Sequence, residues 1–205
     1  TGGESCLLDG VRISGMGRDG VNIKGGSNHG IRSCLLRQVG FSGLQIEGGD
    51  RRTLTPAGHF VENSVVETFS TFKRSYAPAV HATGSGIRIA HNRFEHSSSS
   101  AMRYEGNDIL VEYNVIRDVV NESDDQGGIE SYFNPTYRGI VVRYNYWSDI
   151  SGGTFSGATG VRMDDMICGV EVYGNIFERC GSYTFGGVQI NGGKENVIEN
   201  NIFYR

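Results

Sequence analysis

The phrase IRIAHNRFE at residues 87–95 and its counterpart ILVEYNVIR at residues 109–117 decide the fold of this 205-residue chain. Each phrase sets an asparagine between two short runs in which apolar and polar residues alternate, which is the period of a β-strand. The phrase recurs along the chain, with its asparagine at Asn63, Asn92, Asn114, Asn145, Asn175 and Asn201. Successive asparagines are 22 to 31 residues apart, as in a solenoid whose loops absorb the variation in length.

These repeats predict an all-β domain, a right-handed parallel β-helix of about seven coils. Neighbouring coils in such a helix lie about 4.8 Å apart, so we expect the six asparagines to stack at one interior corner and to bond to one another and to the backbone. The matching phrases SCLLDG and SCLLRQ predict that Cys6 and Cys34 stack on neighbouring coils, where a disulfide is possible. One β-helix domain is expected over residues 1–205. Because neither end carries a cap, we interpret it as a fragment of a longer chain.

The composition bears on the class of partner. The 19 basic and 23 acidic residues give a net charge of −4, which argues against nucleic acid, since that partner requires a basic surface. No apolar run reaches the roughly 18 residues that a membrane span needs, and the four cysteines lack the spacing of metal ligands. We therefore expect no cofactor, no nucleic-acid partner, no membrane span and a monomeric full-length protein.

A second alternating strand lies between the asparagine phrases, in the segments GLQIEG, AVHATG, AMRYEG, GIESYF, GVRMDD and GVQING. Its inward residues are Leu44, Ile46, Val80, Ala82, Met102, Tyr104, Ile129, Ser131, Val161, Met163, Val188 and Ile190. Its outward residues form one column of Gln45, His81, Arg103, Glu130, Arg162 and Gln189 and a second of Glu47, Thr83, Glu105, Tyr132, Asp164 and Asn191. A polar face beside long loops predicts an open groove suited to a polymer.

Five phrases carry a family resemblance: GGDRRTLTPAGHFVEN (48–63), FKRSYAPAV (72–80), SDDQGG (123–128), YRGIVVRYNYWSDI (137–150) and MDDMICGVEVYGNIF (163–177). On these phrases the chain resembles glycoside hydrolase family 141 and related secreted bacterial β-helix enzymes. The resemblance implies cleavage of a plant or algal polysaccharide by two carboxylates, Asp125 and one of Asp164 and Asp165, with Asp165 favoured. It also implies a secreted or periplasmic location. The family segment that matches SDDQGG usually reads Gly-Asp-Ala-Gly, which leaves Asp124 without a counterpart.

Strand geometry favours a different pair of carboxylates. In aligned strands, at about 3.3 Å per residue, Asp125 and Asp165 would lie more than ~20 Å apart unless the DDQGG segment bends over the groove. Glu130 and Asp164, on adjacent coils, would lie roughly 8 Å apart, which suits hydrolysis by two carboxylates. The candidate substrate-binding residues are His81, Arg103, Arg162, Arg74, Tyr76, Tyr132 and Arg138.

Two further functions remain open at this point. A polysaccharide lyase acting on a uronate-containing polymer would use the same groove, with Lys73, Arg103 or His81 as base and with Ca²⁺ or arginine neutralising the uronate. A non-catalytic carbohydrate-binding or adhesin-like stalk would bind its polymer without turnover. Trp147 follows an asparagine of the repeat and is expected in the core.

Overall fold

The described residues, 2–205, form three parallel β-sheets in a computed structural model. Thr1, the first residue of the predicted domain, lies outside the described residues. The chain visits the three sheets in turn and then returns to the first, so each circuit is one coil of a parallel β-helix. Seven coils are complete in the described chain and two strands of an eighth follow, which confirms the predicted architecture. None of the described residues belongs to a helix long and apolar enough to cross a membrane.

In chain order the strands are β1 (Leu7–Asp9), β2 (Arg12–Met16), β3 (Val21–Lys24), β4 (Gly30–Arg32), β5 (Leu35–Val39), β6 (Leu44–Gly48), β7 (Phe60–Glu62), β8 (Val65–Glu67), β9 (Val80–Ser85), β10 (Arg88–Ala90), β11 (Arg93–Glu95), β12 (Met102–Asn107), β13 (Leu110–Glu112), β14 (Val115–Arg117), β15 (Gln126–Ser131), β16 (Ile140–Arg143), β17 (Tyr146–Ile150), β18 (Ala158–Met163), β19 (Val170–Tyr173), β20 (Ile176–Cys180), β21 (Val188–Ile190), β22 (Val197–Glu199) and β23 (Ile202–Tyr204). Every third strand belongs to the same sheet: the first sheet begins with β1, the second with β2 and the third with β3.

The third sheet has the register that its alternation predicts. Its residues pair in the row Leu44, Val80, Met102, Ile129, Val161 and Val188 on the inside and in the row Gln45, His81, Arg103, Glu130, Arg162 and Gln189 on the outside. The inner side chains pack into one apolar core. Trp147 is fully buried in that core and stacks on Phe177 with ring centroids 5.7 Å apart, which confirms its predicted place.

Five asparagines form the predicted ladder at the corner between the first and second sheets: Asn92, Asn114, Asn145, Asn175 and Asn201. The side-chain oxygen of Asn145, for example, accepts the backbone N–H and the side-chain amide of Asn114, both at 2.9 Å. The amide of Asn145 donates to the carbonyl oxygen of Val111 at 3.1 Å. The ladder thus satisfies backbone groups at a turn that is closed to water.

The ladder prediction is wrong for Asn63, whose side chain is exposed at a turn with φ of 48°. Ser64 takes the ladder position instead. Its N–H donates to the Oδ1 of Asn92 at 3.0 Å, and its hydroxyl accepts the N–H of Cys34 at 3.0 Å. The register slips by one residue here because HFVENSVVE has one residue fewer before its asparagine than IRIAHNRFE has.

The predicted stacking of Cys6 on Cys34 is also wrong. Cys6 lies just before β1, and its N–H donates to the Nδ1 of His29 on the next coil at 3.0 Å. Cys34 lies just before β5, at the corner that holds the ladder. The two matching phrases therefore enter different sheets, and Cys6 and Cys34 are both free thiols.

Candidate functional site

A pocket of about 280 Å³ opens on the outer face of the third sheet, over β15 and β18. Its lining consists of Tyr76, Asp125, Glu130, Tyr132, Phe133, Arg162, Asp164 and Asp165. All four candidate carboxylates therefore meet in one place, together with Arg162 and two of the predicted tyrosines.

Arg162 joins two of these carboxylates. Its Nη2 atom lies 2.7 Å from the Oδ1 of Asp125 and 2.6 Å from the Oδ2 of Asp164. Burial lowers the pKa of Arg162, but the hydrogen bond that Arg162 donates to Asp125 and the charges of both aspartates raise it overall. The oxygen of Asp164 that does not contact Arg162 accepts the side-chain amide of Asn191 at 2.6 Å. Asp164 is therefore held from two sides, as a reacting carboxylate needs to be.

Asp125 reaches Arg162 from a bend just before β15, where its own φ is 57°. A Cβ atom at Gly127 would lie 2.6 Å from the carbonyl oxygen of Ile129 and 2.7 Å from the Cβ of Arg162, so a larger residue would not fit. The absence of a side chain at Gly127 thus allows this segment to lie close to Arg162, and Asp125 lines the pocket. Extended strands would place Asp125 more than ~20 Å from Asp165. Both residues line one pocket instead, so this expectation is wrong and the alternative of a bent DDQGG segment is the one observed.

Glu130 lies on the pocket floor with only 1% of its surface exposed. Its carboxylate accepts three hydrogen bonds, from the Ser100 hydroxyl at 3.2 Å, the Gln126 amide at 3.0 Å and the Gly127 N–H at 3.3 Å. Burial raises the pKa of Glu130 to about 7, against the opposing effect of these bonds. A carboxyl group with such a pKa can donate a proton near neutral pH.

Gln126 orients Glu130, and sequence reasoning missed it. Its side-chain oxygen accepts the hydroxyl of Ser123 at 2.6 Å, so its amide nitrogen is the atom that faces Glu130. Ser100 was missed as well. The sequence offered one signal for Ser100, the uninterrupted polar run Ser97–Ser100. All four serines are buried in the structure, and buried hydroxyl groups require hydrogen-bond partners.

Aromatic side chains form the wall of the pocket above Glu130. The Tyr132 ring lies 4.3 Å from the guanidinium carbon of Arg103, and Tyr76 meets Tyr132 edge to face at 6.5 Å. Phe133, a further residue that sequence reasoning missed, is 69% exposed. Burial raises the pKa of Tyr132 to about 12, so its hydroxyl group keeps its proton. These rings offer apolar faces of the kind on which sugars pack.

Comparison with known families fits this geometry. Residues 1–155 and 78–205 each match the family model described as the right handed beta helix region. The chain belongs to this family. Membership confirms the predicted right-handed coiling. No curated protein and no solved structure matches the chain. Right handed beta helix domains occur in polysaccharide-degrading enzymes and in other proteins, so the family establishes the fold and leaves the reaction to be argued from the site.

The other predicted binding residues of this right handed beta helix lie outside the pocket. His81 lies two coils earlier, with its Nε2 3.3 Å from the Oε1 of Glu105, and it borders a second depression of about 290 Å³. Arg103 pairs with Glu105 beneath Tyr132. Arg74 pairs with Glu122 beside the Tyr76 loop. Arg138 pairs with Glu195, and the structure does not bring it to the groove.

Asp124, which the family resemblance left without a role, organises a loop of the helix. Its Oδ1 accepts the N–H groups of Thr154 at 3.0 Å and Gly157 at 3.3 Å, and its Oδ2 accepts that of Ser156 at 3.0 Å. Asp124 therefore holds the loop that precedes β18, and its neighbour Asp125 is the one that enters the pocket.

The pocket acids are the groups that a cation would meet on this face. Two of them, Asp125 and Asp164, are already paired with Arg162. Across residues 2–205, no group of three or more His, Cys, Asp or Glu side chains is arranged to hold a metal ion. Calcium, expected only for a lyase, stays a prediction.

The raised pKa of Glu130 makes the stability of this right handed beta helix depend on pH. The folded state holds the proton up to a pKa of about 7 and the unfolded state only to the ordinary 4.5, so stability falls as pH rises between these values, by up to about 3 kcal/mol. We expect Glu130→Gln to remove this loss. The variant should gain stability relative to wild type from pH 4 to pH 8, as measured by urea unfolding.

The exposed Glu171 on β19 provides the matched control. Glu171→Gln makes the same chemical change on another face and should keep the wild-type pH dependence. If the free energy of unfolding of Glu130→Gln changes with pH in parallel with that of the wild-type protein, the pKa of Glu130 is not raised in the folded state.

Proposed function

We propose that this chain carries the active site of a glycoside hydrolase, which cleaves a plant or algal polysaccharide in the groove of the third sheet. Glu130 is the general acid and Asp164 the second carboxylate. The supporting observation is the contrast between their environments: Glu130 is buried, with a pKa of about 7, whereas Asp164 is paired with Arg162 at 2.6 Å. Glycoside hydrolysis requires one carboxyl group that gives a proton and one that acts as a carboxylate.

Each residue has a distinct part in the proposed reaction. Glu130 gives its proton to the glycosidic oxygen as the bond to the sugar breaks. Asp164, held by Arg162 and Asn191, acts on the opposite side, either by attacking the sugar carbon or by taking a proton from the attacking water. Gln126 keeps Glu130 in place, and the hydroxyl of Tyr132 is available to donate a hydrogen bond to the sugar.

The resemblance to glycoside hydrolase family 141 supports the reaction class but points to Asp125 and Asp165. We prefer Glu130 and Asp164 because Asp125 is 59% exposed at its side chain and Asp165 has no side-chain partner in the described part of the chain that would orient it. Within this proposal Asp125 helps Arg162 to hold its position.

The open groove supports a polymer as the substrate. The outward column continues from the pocket through Arg103 to His81 and the second depression, so a glycan longer than the pocket has polar partners beyond it. Such a substrate is found outside the cytoplasm, in keeping with a secreted or periplasmic location.

A polysaccharide panel tests the proposal. With the full-length protein we expect reducing ends to accumulate from at least one polysaccharide without the ultraviolet absorbance of an unsaturated product. Equal growth of reducing ends and absorbance would identify a lyase instead. Binding without new reducing ends would identify a non-catalytic carbohydrate-binding module.

A further inference from the structure

We infer that the pocket selects uncharged glycans and that Asp165 excludes acidic ones, an inference that rests on the proposed glycan-cleaving function. Three aspartates, Asp125, Asp164 and Asp165, face a single arginine in the pocket lining. The acidic side chains of the lining therefore outnumber the basic one. Even with Glu130 protonated, the pocket therefore has an excess of negative charge.

Arg162 is not free to neutralise an acidic sugar. One of its nitrogens, Nη2, contacts both Asp125 and Asp164. Its Nε and Nη1 atoms are enclosed by the protein, with no hydrogen-bond partner among residues 2–205. A uronate carboxylate would have to displace an aspartate from Arg162 and would then stand beside that aspartate, which like-charge repulsion opposes.

The next arginine along the outward column is occupied as well. Arg103 pairs with Glu105, and the Tyr132 ring covers its guanidinium. The carboxylate of Asp165, by contrast, has no side-chain partner within the described residues, and it lines the pocket. Asp165 is thus the uncompensated charge that an acidic substrate meets.

The opposite wall suits a neutral sugar. Phe133 is 69% exposed and Tyr76 is 40% exposed, and both line the pocket. Their ring faces can pack on the C–H groups of a pyranose, while the carboxylates accept hydrogen bonds from its hydroxyl groups. A neutral glycan satisfies both walls without a counter-charge.

The test compares glycans that differ only in charge. The probes are gluco-, manno- and galacto-oligosaccharides and the same oligosaccharides oxidised to uronates at C6, titrated against the full-length Glu130→Gln protein so that turnover does not disturb binding. We expect the neutral form to bind about tenfold or more tightly, the effect of one or two unit charges within a few ångströms. Added salt should narrow this preference by screening the charges.

Asp165→Asn in the same background should reduce the neutral-to-uronate affinity ratio about fivefold, whereas Glu171→Gln, an equal charge change on β19, should leave the ratio unchanged. Equal or tighter binding of the uronates overturns the inference, and so does binding of neither form. If the neutral form is preferred but the wild-type protein shows no turnover, the proposed hydrolysis fails and the charge selectivity stands.

Discussion

Glu130→Gln is expected to lower kcat by about 100- to 10,000-fold, the usual effect of removing a general acid, while the fold is kept. Glutamine can still accept a hydrogen bond from Ser100, but it has no proton to give to the leaving oxygen. Wild-type activity should also fall as pH rises through about 7, because the pKa of Glu130 lies there. Steady-state kinetics across pH, with circular dichroism of each variant, measure both effects.

Three other replacements and one control extend this experiment. Asp164→Asn should cost activity on the same scale, and the control Glu171→Gln should cost none. Asp125→Asn and Asp165→Asn decide against the pair implied by the family resemblance if they retain substantial activity. An active Glu130→Gln enzyme combined with inactive Asp125 and Asp165 variants would overturn the assignment made here.

Asn145→Ala is expected to lower the free energy of unfolding by about 3–5 kcal/mol, since each buried polar group left without a partner costs about 1–3 kcal/mol. The change removes the acceptor of both Asn114 donors, which lie at 2.9 Å. It also removes the donor to the carbonyl oxygens of Val111 and Arg143. Urea unfolding followed by circular dichroism gives the difference.

Asn22→Ala is the matched control, because Asn22 points outward from β3 and is exposed. Its replacement should change the free energy of unfolding by no more than about 0.5 kcal/mol. If both variants lose the same free energy of unfolding, the ladder position of Asn145 contributes no more to stability than the exposed position of Asn22.

Local patterns were sufficient to predict the fold. Strand alternation and a turn asparagine are features of a few consecutive residues, so the third sheet, five rungs of the ladder and the number of coils could be predicted from phrases such as IRIAHNRFE. The failure at Asn63 has a physical cause. Any side chain with a suitable oxygen can occupy the ladder position, and Ser64 does so with its hydroxyl group. A search for asparagine alone therefore selects the wrong neighbour.

The site was only partly predictable. The outward columns placed Glu130, Arg162 and Asp164 together because Glu130 and Arg162 pair on regular strands and Asp164 directly follows one. The carboxyl group of Glu130 is held instead by the N–H of Gly127 and by the hydroxyl of Ser100, which lies 30 residues away in sequence. Strand arithmetic places residues along extended strands and cannot anticipate such contacts. The burial that raises the pKa of Glu130 and the hydrogen bonds that oppose this rise were therefore visible only in three dimensions.

The asparagine ladder and the pocket lie on different parts of the β-helix, which affects how proteins of this fold can evolve. The ladder lies at the corner between the first and second sheets, whereas Tyr76, Asp125, Phe133 and Asp165 lie at or beyond the ends of third-sheet strands. Because each coil of a solenoid contacts only its neighbours, an insertion in one of these loops leaves the asparagine stack in register. Lineages can thus exchange loops, and with them the ligand that the pocket binds, while they inherit the same scaffold.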